Sequence, residues 1–144
     1  MPLLHHQALI ERWFHELCSG KIEVLDDLVI PDFVSYNANG KVGAASAAAF
    51  KTWLEWYLAS FTDAEWTILE IVSEGEKAVA RYVGWTTYRG GLLNIPSTNQ
   101  RVEEYGVLIF RIVDGKVHEL WSALCDLELV MGLGAVPVVP ENRA

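Results

Sequence analysis

At 144 residues, with 51% hydrophobic residues, the chain is long enough to bury one core and too short for two domains. Nineteen acidic residues against eleven basic ones give a net charge of −8, without a Lys/Arg cluster, which argues against nucleic acid or an anionic membrane as a partner. Six Trp, five Tyr and five Phe are more aromatic surface than a small core requires, so part of it is expected to line a cavity for an apolar small molecule.

Leu9, Ile10, Trp13, Phe14 and Leu17 recur at helical spacing, and Gly20 follows as a stop signal. Ile22, Leu25, Leu28 and Val29 mark a second short helix, ended by Pro31. Phe33, Val34 and Tyr36 form a brief strand that breaks at the turn Asn37-Ala38-Asn39-Gly40. The third helix is expected over Ala44 to Ser60, capped by Ser46. Phe50, Trp53, Leu54, Tyr57, Leu58 and Phe61 form its apolar stripe, which Trp56 widens.

Alternation with period two then runs from Trp66 through Val72. Glu74 to Lys77 reads as a hairpin turn into a strand from Ala78 to Tyr88. Gly90 to Gln100 is a loop by composition, and Asp114-Gly115 a tight turn between the last two strands. Asp126 to Leu133 closes the domain as a short helix. Residues 136–144, with Pro137 and Pro140, form an extended tail after a single domain over residues 1–135.

Helices followed by a meander give the α+β class: a cone-shaped α+β barrel in which a curved, mostly antiparallel sheet wraps three helices. Val79, Val83, Val107 and Ile109 make both faces of that sheet apolar, so its outer face needs a cover, and a homodimer is expected. Cys18 and Cys125 read as free thiols. With no basic segment leading a long apolar run at the N-terminus, a soluble cytoplasmic protein is the expectation. No set of His, Cys, Asp and Glu has metal-ligand spacing, and no glycine-rich phosphate cradle or nucleophile elbow is present, so neither metal nor other cofactor is expected.

Three further stretches carry a resemblance. Arg81 leads a strand ending Thr86-Thr87-Tyr88-Arg89-Gly90, followed by Ile95-Pro96-Ser97-Thr98-Asn99. Gly106 precedes Phe110-Arg111-Ile112 and Asp114-Gly115-Lys116. Trp121 is followed by Leu133 and Gly134. In these motifs the chain resembles the SnoaL-like polyketide cyclases, within the superfamily of nuclear transport factor 2 and ketosteroid isomerase. The resemblance implies a cofactor-independent cyclase or isomerase of secondary metabolism. Such an enzyme moves a proton on a polyketide- or terpenoid-like molecule in an apolar pocket. Two alternatives stand beside it: an epoxide-opening hydrolase of the same fold, and a non-catalytic dimeric module that binds a small molecule.

Against the family pattern, Cys125 stands where the acid/base Asp is expected and the carboxylate is shifted to Asp126. Tyr88 stands for the motif His. The carboxyl groups that serve ketosteroid isomerases near Asn37 and Leu108 are missing. Asp126, Tyr88 and Tyr36 are therefore the candidate catalytic residues, against their plainer roles as helix cap, aromatic plug and strand aromatic. Asn37, Phe14, Trp53, Tyr57, Trp121 and Cys125 are candidate substrate contacts, Asn37 being also a natural turn residue and Cys125 a natural core thiol. The pocket is expected between the N-terminal helix and the 90–100 loop, and a β-bulge after Trp121 would turn Asp126 inward.

Overall fold

The computed structural model describes residues 2–135. The expected C-terminal arm over 136–144 lies outside the described residues. Helix α1 (Pro2–His15) and two short 3₁₀ turns (Leu17–Ser19 and Ile22–Val24) lead into α2 (Leu25–Leu28). Strands β1 (Val29–Asn37) and β2 (Val42–Ala44) precede helix α3 (Ala47–Ser60). Four long strands follow: β3 (Phe61–Glu74), β4 (Lys77–Tyr88), β5 (Arg101–Val113) and β6 (Lys116–Leu124), before helix α4 (Asp126–Gly132).

The elements follow from the spacings. Leu9, Ile10, Trp13 and Phe14 are buried as one stripe of α1 laid on the sheet, and the buried Leu17 continues it in the first 3₁₀ turn. Ser46 caps α3, its hydroxyl accepting the Ala49 N–H at 3.1 Å. The helix runs directly into β3, because Phe61 is already extended at φ −130°. The β5–β6 turn places Asp114 and Gly115 at φ 51° and 76°, the left-handed pair that a two-residue hairpin with matching twist requires.

The sheet order is β2-β1-β6-β5-β4-β3. All pairs are antiparallel except β1 with β6, which run parallel with Tyr36 opposite Trp121. The sheet curls without closing, so β2 and β3 remain free edges and the cone is open. Ala78, Ala80, Leu108, Phe110, Val117 and Leu120 point inward. Trp13 sits at the centre, 5.3 Å from Phe110 edge-on and 5.7 Å from Phe50 between ring centres. Gly84 admits Trp66 across β4: a Cβ there would lie 2.3 Å from the indole ring, so no larger residue fits without displacing it.

Two expectations are corrected. The early strand is nine residues rather than four and contains Pro31, where the ladder to β6 is irregular between Val29 and Val34. Ala44 belongs to a strand, β2, and α3 starts three residues later than expected. Cys18 and Cys125 are both free, and no helix among the described residues is long and apolar enough to cross a membrane.

Candidate active site

A cavity of about 560 Å³ lies between α3, α4 and the inner face of β5 and β6, with the β1–β2 end and the 90–100 loop at its sides. One wall is built by helical spacing alone. Phe50, Trp53, Tyr57 and Phe61 stand at i, i+3, i+7 and i+11 along one side of α3 and into β3. Trp53 stacks on Tyr57 at 5.3 Å and 15°, and Tyr57 on Phe61 at 5.3 Å and 24°. Trp53 and Trp56 are 43% and 37% exposed, leaving apolar ring area bare in the cavity.

The polar floor is a residue that the sequence analysis did not single out. Glu104 on β5 is only 8% exposed and faces inward. The Tyr57 hydroxyl donates to its Oε1 at 2.9 Å and the Thr86 hydroxyl to its Oε2 at 2.5 Å. Burial raises the Glu104 pKa above the ordinary carboxylate range. Its two hydrogen bonds oppose the rise, and the nearby Asp126 carboxylate adds to it. The surrounding acids respond in kind. Tyr57 is pushed well above the usual phenol range by burial and then by Glu104, and Cys18 is pushed up to about 12 by the same two causes. The cavity lining contains no Lys, Arg or His among the described residues, so no cation offsets this carboxyl.

The signal for Glu104 was present. Val102, Glu104, Leu108, Phe110 and Ile112 share one period-two register, and a carboxyl in a run of inward apolar positions marks a buried acid.

Six of the nine expected site residues border the cavity, namely Tyr36, Asn37, Trp53, Tyr57, Cys125 and Asp126, but the Tyr36 ring turns to the outer face of the sheet beside Trp121. Cys125 and Asp126 both border it, with no bulge after Trp121. Strand β6 stays in register to Leu124, Cys125 stands at the N-cap position of α4 without a side-chain capping bond, and Asp126 opens the helix. Asp126 is exposed at the rim. The Cys125 thiol accepts the Tyr105 N–H at 3.2 Å, and burial raises its pKa. Asn37 is the turn residue its composition suggests. Its N–H donates to the Lys41 carbonyl and its own carbonyl accepts from Gly40.

The Tyr36 hydroxyl is committed elsewhere. It donates to Glu119 at 3.0 Å, and its ring stacks on Trp121 at 5.4 Å and 13°. Arg111, 2.6 Å from the same carboxylate, holds Glu119 below the ordinary range.

Three residues are corrected. Trp121 points to the outer face, because Leu120 and Ser122 take the inner one, and Lys77 sits 5.1 Å over its ring. Phe14 packs behind the cavity on Tyr82 and Trp66. Tyr88 is fully buried and pins the loop. Its hydroxyl accepts the Leu92 N–H at 3.0 Å and donates to the Ile95 carbonyl at 2.5 Å, bracketing a turn in which Leu93 and Asn94 are left-handed. Leu92 and Leu93 border the cavity, so Tyr88 shapes the site from behind. Tyr88→Phe should cost about 1 kcal/mol, roughly 3 °C of melting temperature, and speed proteolysis within 91–96. Unchanged melting and cleavage would remove this anchoring role.

Comparisons with known proteins agree with this fold. The profile of the SnoaL-like polyketide cyclase family matches residues 8–130. Comparison with the curated proteins finds no match. Among solved structures, AclR from Streptomyces galilaeus, named as a hydroxylase, is 27% identical with a TM-score of 0.75, covering 97% of this chain and 89% of its own. TsrD from Streptomyces laurentii is 26% identical with a TM-score of 0.79, covering 92% and 97%. A protein from Jannaschia sp. CCS1, named as a SnoaL-like polyketide cyclase, shares the fold at 19% identity and a TM-score of 0.81, covering 93% and 94%. With its fold, its cavity and the profile match running from α1 to α4, the chain belongs to the SnoaL-like polyketide cyclase family.

Proposed function

We propose that this chain is a cofactor-independent cyclase or isomerase of secondary metabolism, acting on a flat polyketide- or terpenoid-like molecule by proton transfer. The observation that carries the reading is Glu104, a buried carboxyl held by Tyr57 and Thr86 at the floor of an aromatic-walled cavity. A carboxyl with a raised pKa sits closer to neutral pH, where giving and taking a proton are both favourable. Asp126, at the water-exposed rim, is the second carboxyl, suited to exchanging that proton with solvent. The stacked rings of α3 orient a planar substrate over Glu104, so positioning supplies much of the acceleration. Cys125, its thiol on a backbone N–H, takes no part in the chemistry.

The test is turnover, followed by mass spectrometry of products from a panel of poly-β-keto and polycyclic substrates without added cofactor. Wild type, Glu104→Gln and Asp126→Asn are compared. Full turnover by Glu104→Gln would overturn the assignment. One observation favours the non-catalytic reading: the Tyr36 and Tyr88 hydroxyls, expected to hold a substrate oxygen, are spent on Glu119 and on the loop. Ligand binding without product from any substrate of the panel would establish it.

The same reading includes a cytoplasmic homodimer. Free cysteines suit a reducing compartment. Leu69 and Trp85, each 45% exposed, and the half-buried Val83 and Val107 lie outside the cavity on β3, β4 and β5. Light scattering at micromolar concentration should return twice the chain mass, and a monomer mass would refute the dimer.

A further inference from the structure

We propose that the cavity selects a planar guest bearing a protonated nitrogen, seated with its N–H on Glu104, and turns away carboxylates. This rests on the cavity being the substrate site and adds the chemical class of what enters it. Its lining holds two carboxyls, Glu104 and Asp126, and no basic side chain among the described residues. An anion would be desolvated there with no cation to meet it, beside charge of its own sign. A neutral ring gains only the burial of its faces.

A cation gains more, and the residues around Glu104 show why. Each carboxylate oxygen accepts one hydrogen bond, Oε1 from Tyr57 and Oε2 from Thr86, which leaves each an acceptor position for a ligand. The two donors come from α3 and β4 and fix the carboxylate in place before a ligand arrives. The other titratable groups near Glu104 are Tyr82 on β4, Cys18 after α1, Cys125 and Asp126 at the start of α4, none of them a cation. Without a ligand the buried carboxyl is disfavoured as an anion, and a ligand ammonium is the counter-ion it lacks. Trp53 and Trp56 line the same space and are partly exposed, and aromatic rings attract a cation placed over them. The net charge of −8 concentrates cations around the whole molecule and speeds their approach.

The test is isothermal titration calorimetry at neutral pH with three probes sharing one ring: naphthylmethylamine, naphthylmethanol and naphthoate. The amine should bind roughly ten- to a hundredfold more tightly than the alcohol, as a charge-assisted hydrogen bond implies, and naphthoate most weakly. In Glu104→Gln the amine should lose its advantage over the alcohol, while an unchanged far-UV circular dichroism spectrum shows that the fold is intact. Asp126→Asn should keep most of the amine preference. Naphthoate binding as well as the alcohol, an amine preference that survives Glu104→Gln, or no amine binding would each overturn the proposal. The probes do not turn over, so the ranking stands or falls apart from catalysis. Normal turnover by Glu104→Gln refutes proton transfer without touching the ranking, and a failed ranking leaves proton transfer open to its own test.

Discussion

Glu104→Gln should lower turnover by roughly two to four powers of ten and leave the protein as stable as before or more so. The amide keeps the shape of the carboxyl and an oxygen for the Tyr57 or Thr86 hydroxyl, but it neither takes nor gives a proton. The stability effect has a definite sign with pH. Burial raises the folded-state pKa of Glu104 above its unfolded value, so its contribution is fully present below the unfolded pKa and is lost as pH rises through the folded one. Above that window wild type carries a buried charge that the variant lacks. The variant should therefore melt higher at about pH 8, and its advantage should shrink towards the ordinary carboxylate range. Scanning calorimetry at several pH values beside the turnover measurement checks both halves. Full loss of turnover with a collapsed melting temperature would make Glu104 a structural residue instead.

Trp13→Ala should cost about 3–5 kcal/mol, a large share of the 5–15 kcal/mol by which a domain of this size is stable. Trp13 is 2% exposed and touches Phe33, Phe50 and Phe110, which come from β1, α3 and β5. No neighbour can fill the space left, because each is held by its own element. The indole also borders the cavity, so its loss joins the site to the core. Urea unfolding should show the lowered midpoint, and naphthylmethanol should bind more weakly. Trp13→Phe keeps an aromatic edge on Phe110 and should lose less than half as much. A loss under about 1 kcal/mol for the alanine variant would mean that the core rests on other contacts.

The helices were legible because Trp13 and Phe50 sit in uninterrupted helical stripes, and the hairpins because Gly75 and Gly115 stand where tight turns need them. β1 was read short because Pro31 argues against a strand. The parallel partner that makes the strand possible is far away in the chain, and no local signal announces it. The site was legible on α3, where the aromatic spacing that makes a helix stripe also makes a wall. It failed at Tyr88 and Trp121, because strand parity and loop closure decide where those rings point. Glu104 was missed for a different reason: the family motifs point to Asp126, while the buried acid stands in the inward register of β5, with only β6 between it and α4, in neither motif nor turn.

The parallel pairing of β1 with β6 also sets the order in which the molecule can be assembled. Tyr36 and Glu119, joined by a hydrogen bond, are 83 residues apart in sequence. The meander from β3 to β6 closes through neighbours and can zip from its turns. β1, carrying the buried Phe33, must wait for β6 before it has a partner on that side. Contacts of this span are paid in loop-closure entropy and slow folding. A nascent chain still lacking β6 therefore holds an unfinished cavity and a bare strand edge. The interval until the ribosome releases that strand is when this protein is most exposed to aggregation.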